Sequence, residues 1–406
     1  MGSNVAGAPR VLVVGIGGIG GIVCASLLDQ GHDVAALSRN AYVADAVNAH
    51  GFRTRGELAL GVVAGHVRTE LSKKAGPFDY VLLCTQPNEV EAAARASLPF
   101  LGEGGALVCL QNGLCEPLCA AIAGPERVLG AIVAWGASMI EPGVFDRTSA
   151  GGFVLGRLGG DASADARLER LAALFECIGP VTLTDNLLGA RWSKLAINCA
   201  ISSLGAIGGE RLGILLGKRF VRRLALEIMT EAVDVARAEG ARLEKVAGTI
   251  DLDWIALTPG ERAASLGSPS LVAKHALLLA VGARYRRLRS SMLAAIERGR
   301  EPPIDFLNGE VVKRAGAHGL AVPVNASVVA AVRAVAARRE RASLAALERL
   351  YRATSAVRPN ADAPASTDAA SAPAGDTVAE EPLAAPAPAA PTVPGEPLDP
   401  GHDARP

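Results

Sequence analysis

The chain has 406 residues, half of them hydrophobic, and 41 Lys+Arg against 41 Asp+Glu give a formal net charge of zero. That balance argues against a nucleic-acid-binding or membrane-surface protein, and the length is enough for two or three domain cores. The seven Cys are scattered, and Cys115 and Cys119 lack a second Cys/His pair that would close a zinc site, so no metal is expected. Residues 1–10 are short and polar for a secretory leader, and no run of about eighteen apolar residues occurs. The expectation is a cytoplasmic protein with a small-molecule partner, and neither nucleic acid nor membrane.

Short apolar runs at 10–14, 33–37, 80–84, 106–110 and 128–134 alternate with helical patterns at 21–30, 89–98 and 114–123. This alternation predicts a parallel, doubly wound sheet with helices on both faces. Residues 144–158 read as antiparallel additions and 164–177 as a further helix. After Asp185 only helical patterns remain, at 187–207, 220–239, 272–298, 304–318 and 326–351, with Asn325 a candidate N-cap for the last. Eleven of the 24 prolines fall between Pro359 and Pro406, where apolar clusters are almost absent, so a disordered tail is expected. The organisation read from the chain is an arm at 1–9, a nucleotide-binding domain at 10–185, a helical domain at 186–352 and a tail at 353–406.

The strand at 11–14 runs into Gly15-Ile16-Gly17-Gly18-Ile19-Gly20, the G-x-G-x-x-G spacing of a dinucleotide site. The first glycine allows a tight turn, the second lets a pyrophosphate approach bare backbone, and the third lets the next helix pack closely. The second strand ends in Leu37-Ser38-Arg39-Asn40, without the acid that would accept a ribose 2′-OH. A guanidinium and a hydroxyl there suit the 2′-phosphate of NADP, although Arg39 also reads as an ordinary surface cation.

Three further polar features stand out. Leu195–Gly209 has no charged side chain, with Lys194 at its entry and Asn198 one turn on. Asn112 follows a buried strand, where open α/β sheets bind ligands. Ser291 sits in Arg289-Ser290-Ser291-Met292. From the pattern alone, Lys194 also reads as a snorkelling helix-end lysine, Asn112 as a plain Asn-Gly turn, and the serines as solvent-facing.

Taken together, the glycine run, Leu110-Gln111-Asn112-Gly113-Leu114, Trp192-Ser193-Lys194-Leu195-Ala196-Ile197-Asn198-Cys199, Ser290-Ser291-Met292-Leu293 and Ile304-Asp305-Phe306-Leu307-Asn308-Gly309 resemble the ketopantoate reductase (2-dehydropantoate 2-reductase) family. The resemblance covers about residues 10–350. It implies an α/β protein with an N-terminal Rossmann-type doubly wound sheet and an all-helical C-terminal domain of the 6-phosphogluconate dehydrogenase C-terminal type. It implies NADP (NADPH) held by Gly15, Ile16, Gly17, Gly18, Ile19, Gly20, Arg39, Gln86 and Asn112. It further implies Lys194 as general acid, with Asn112, Asn198 and Ser291 on the substrate.

Two positions depart from the family pattern: Gln86 stands where a lysine is usual, and Pro303 where a glutamate is usual. The expected activity is reduction of a 2-oxo acid, ketopantoate to pantoate in type, with a less polar substrate tail. A catalytically silent NADP-binding protein and a ketone or opine-type dehydrogenase are the alternatives, and the long C-terminal helices are compatible with a homodimer.

Overall fold

The computed structural model describes residues 8–355 other than 161, 163, 246–249 and 264–267, so the expected tail lies almost wholly outside the described residues. The described strands, in chain order, are β1 (Val11–Val14), β2 (Val34–Leu37), β3 (Phe52–Gly56), β4 (Gly61–Val63), β5 (Val67–Arg68), β6 (Phe78–Leu83), β7 (Leu101–Cys109), β8 (Val128–Val133), β9 (Ala137–Glu141), β10 (Val144–Arg147), β11 (Phe153–Arg157) and β12 (Val181–Thr184). The main sheet runs β12-β11-β8-β7-β6-β1-β2-β5. Its centre is parallel, and β1, buried on both faces, lies between β2 and β6. All five expected strands are present. β11 is the antiparallel addition, paired with β8, and β12 runs parallel to β11.

A second sheet, β4-β3-β10-β9, was not expected. Phe52, Arg53, Thr54 and Arg55 in β3 alternate buried and more open positions, and the strands are too short to stand out as apolar runs. The expectation of antiparallel pairing for 144–158 holds for β10 with β9, but β10 pairs with β3 in parallel.

The sheets carry α1 (Gly18–Asp29), α2 (Ala41–His50), α3 (Val90–Ser97), α4 (Glu116–Ala123) and α5 (Ala166–Phe175). From Leu187 on, the regular elements among the described residues are helices: α6 (Leu187–Gly208), α7 (Leu212–Gly217), α8 (Arg219–Ala238), α9 (Leu252–Ile255), α10 (Pro259–Ala263), α11 (Pro269–Arg284), α12 (Ser291–Glu297), α13 (Asn308–Ala317), α14 (Pro323–Ala336) and α15 (Leu344–Ser355), with a one-turn helix at Pro303–Phe306. α6 is the hub of this half and packs along α8.

Two expected long helices are broken. The 272–298 pattern divides into α11 and α12, because Ser290 caps α12 by accepting from the Leu293 N–H, after the arginine-rich stretch 284–289. The 326–351 pattern divides at a charged run containing Arg338, whose φ is +56°. Asn325 is not the N-cap of α14. It is buried inside the helix, and the cap function is served by the Glu231 carboxylate of α8, which accepts from the backbone N–H groups of Val324 and Asn325 at 2.9 and 2.8 Å.

Candidate active site

The glycine turn lies at the carboxyl edge of the main sheet. Gly15 has φ +97°, a conformation that favours glycine, and an added Cβ would lie 2.8 Å from the Thr85 nitrogen. At Gly20 a Cβ would lie 2.0 Å from the Gly15 oxygen, so a side chain there would separate α1 from the sheet. At Gly17 a Cβ would meet nothing within 4 Å. Gly17 is also the N-cap of α1 and brings no side-chain cap, so the first N–H groups of the helix stay free for an anion. Gly18 backs closely onto Ala137 and Ser138 of β9. The side chains of Ile16 and Ile19 pack into the sheet's core, which leaves their backbone as the part able to meet a ligand. Beside the turn, the buried Gln111 donates to the Thr85 hydroxyl at 3.3 Å, while its Oε1 has no partner among the described residues. An open cradle and an orphaned polar atom at one sheet edge fit a dinucleotide.

The helix α6 carries two of the other candidate residues, Lys194 and Asn198. Its Arg191 is buried and fully used: it donates to the Cys109 and Gln111 carbonyls, each at 2.7 Å, and from Nε to Glu116 Oε1 at 2.7 Å. This clasp ties the loop carrying Asn112 to the helix. Lys194, three residues on and half-buried, donates to the Val133 carbonyl at the end of β8 at 2.6 Å. Burial, with the Arg191 charge as the second cause, lowers the Lys194 ammonium to about 7.

Asn198 is one turn further along the same face, half-buried. Ser290 donates to the Ser202 carbonyl at 2.7 Å, which anchors the exposed Ser291 beside α6. From Arg191 to Ser202 the helix advances about 17 Å. That stretch is tied to the Asn112 loop at one end and the Ser291 turn at the other. The side chains of Asn112, Asn198 and Ser291 have no hydrogen-bond partner among the described residues.

Arg39 projects from the end of β2, 73 % exposed, and its guanidinium is paired with Glu89. The Ser38 hydroxyl is buried and accepts from the Asn40 N–H, while Asn40 caps α2. Gln86 is exposed and precedes a one-turn helix, Pro87–Glu89, which packs against Pro303–Phe306. The two positions that depart from the family pattern therefore lie at two short helices that pack together.

Sequence reasoning missed Arg191, Glu116 and Glu89. Arg191 had a signal, since it is the last charged residue before Lys194 in an otherwise apolar helix. Glu116 and Glu89 carried none, because their partners are 75 and 50 residues away in the chain.

A glycine turn shaped for a dinucleotide and a lysine of lowered pKa at the end of β8 are the features of a nicotinamide-dependent oxidoreductase. Models of the ketopantoate reductase PanE/ApbA family match residues 11–160, and of its C-terminal part residues 186–336, so the chain belongs to the ketopantoate reductase family. The 2-dehydropantoate 2-reductase of Halobacterium salinarum is 29% identical over 318 residues, covering 78% of this chain and 95% of the relative. That of Pyrococcus horikoshii is 25% identical over 327 residues, covering 80% and 97%. The PanE/ApbA family ketopantoate reductase structure from Ralstonia eutropha superposes with a TM-score of 0.66 at 26% identity, covering 81% of this chain and 99% of that one. Like its family, the chain is an NADP-dependent oxidoreductase acting on CH–OH donors, and no described helix is long and apolar enough to cross a membrane.

Proposed function

We propose that the chain reduces a 2-oxo acid to the 2-hydroxy acid, ketopantoate to pantoate in type, with NADPH as reductant and Lys194 as general acid. In this reading residues 10–185 bind the dinucleotide and 186–352 bind the substrate. The bound dinucleotide supplies the hydride. Gly17 and the free N–H groups opening α1 hold its pyrophosphate, Arg39 meets the 2′-phosphate, and Gln86 and Asn112 line the remainder of the site.

Lys194 as an ammonium polarises the substrate carbonyl and then donates the proton that the developing alkoxide needs. Its ordinary pKa would make it a reluctant donor. The observation that carries the reading is a half-buried ammonium brought to about 7 and oriented by the Val133 carbonyl, so that proton transfer is close to balanced at neutral pH. Asn112, Asn198 and Ser291 supply uncharged polar groups for the carboxylate and carbonyl without raising the lysine's pKa. NADPH consumption over a panel of 2-oxo acids tests the reading. Turnover with at least one member is expected, and NADPH binding with no turnover on any of them would overturn it.

A further inference from the structure

Successive turns of α6 rest on the carboxyl ends of neighbouring strands. Arg191 donates to the carbonyl of Cys109, the last residue of β7, and to that of Gln111 just beyond it, each at 2.7 Å. Lys194 donates to the carbonyl of Val133, the last residue of β8, at 2.6 Å. β7 and β8 pair in parallel, with Cys109 opposite Gly130. Three residues of helix advance about 4.5 Å, close to the roughly 4.8 Å between paired strands, so each side chain can meet its own strand.

Glu116, at the start of α4, closes this seam. Its carboxylate accepts from Arg191 Nε at 2.7 Å, and the two side chains are 1% and 2% exposed. Gly130 leaves room for the pair: a Cβ there would lie 2.6 Å from Glu116 Oε1 and 2.5 Å from the Leu187 side chain of α6. A buried ion pair adds little net stability over an apolar pair of the same volume, so stability alone does not account for it.

We propose that Arg191 is a positioning residue for proton transfer: it seats α6 on the end of β7 so that Lys194 reaches the end of β8, and it keeps a fixed positive charge one turn from the ammonium, with Glu116 holding the guanidinium in place. The proposal rests on the reading of Lys194 as general acid and adds the pair that sets it. Burial lowers the Lys194 pKa most, Arg191 lowers it next, and Glu116 raises it; these are the charged groups that act on it among the described residues. Removing either partner leaves the other buried and unpaired, so both losses cost stability. Their effects on the ammonium are opposite, which a purely structural pair would not produce.

The test is the titration of Lys194 in the full chain, followed by competitive labelling with acetic anhydride, which modifies the amine and not the ammonium, and read by mass spectrometry. The midpoint should rise by about one pH unit in Arg191→Met and fall by about one unit in Glu116→Gln. The double variant Arg191→Met with Glu116→Leu should lie between wild type and Arg191→Met. Arg191→Lys keeps the charge but loses the fork of donors. Its midpoint should stay near that of wild type, while the single-turnover rate of NADPH oxidation with ketopantoate falls about tenfold or more.

Midpoints that stay put, or that move the same way in Arg191→Met and Glu116→Gln, overturn the proposal and leave the reductase reading standing. Should Arg191→Met not fold, Glu116→Gln, which keeps the shape of the side chain, decides alone: a midpoint that stays or rises overturns the proposal. If wild type binds NADPH and reduces no 2-oxo acid, the reductase reading falls and takes the positioning role with it.

Discussion

At the sheet edge the ligand-binding features belong to the backbone: Gly15 turns, Gly17 lies open, and Gly20 brings α1 against the sheet. The helix α6 instead works through side chains whose behaviour depends on what surrounds them. Lys194 is an ordinary lysine in sequence, and only burial beside Arg191 brings it to about 7. Backbone recognition is local and survives changes elsewhere, whereas the α6 side depends on long-range contacts. The two sides should therefore respond differently to substitution.

The sharpest separation comes from Lys194→Ala. Positioned proton donors contribute roughly 10²–10⁴-fold, so turnover should fall by about two orders of magnitude or more while NADPH affinity, set at the sheet edge, stays within a few-fold. Stopped-flow turnover and nucleotide fluorescence measure the two separately, and a matched loss in both would merge the two sides.

Arg191→Met comes next. It leaves the Glu116 carboxylate, 1% exposed, without its partner, and chemical denaturation should register a loss of about 3–5 kcal/mol. Replacing both members, Arg191→Met with Glu116→Leu, should restore most of that stability. Turnover should remain low, because the Asn112 loop has lost the donor that ties it to α6.

The smallest effects belong to the exposed Arg39–Glu89 pair. Arg39→Ala should weaken NADPH by about tenfold and NADH little, since a charged hydrogen bond to the 2′-phosphate is lost. Glu89→Gln should act in the opposite sense, tightening NADPH by about fivefold, the scale of an exposed ion pair. Titration with both nucleotides checks this, and equal changes for NADPH and NADH would remove Arg39 from the site.

The contrast also explains what could be read from the sequence. The turn was legible because the steric demands at Gly15, Gly17 and Gly20 leave a fixed spacing in the chain. The central strands were legible because burial on both faces requires continuous apolar runs, as in β1. The second sheet was not, because its strands are short and one-sided. Lys194, Asn198 and their helix were visible as residue types on an uncharged stretch. Arg191, whose charge helps lower Lys194, lies on the same helix, but the burial and the groups that hold the two, Val133, Glu116 and the Gln111 carbonyl, come from other elements that the fold alone brings together. Asn325 illustrates the same limit: its residue type suggests a cap, but the Glu231 carboxylate from α8 caps α14 and holds Asn325 inside.

The central claim is that Lys194 is a proton donor poised near neutrality, and the pH dependence of single-turnover NADPH oxidation with a 2-oxo acid tests it most directly. The account predicts that the rate constant falls tenfold per pH unit above about 7, as the ammonium is lost, and that Lys194→Ala abolishes this dependence. A rate that stays level up to the ordinary lysine range of about 10.4 would contradict it.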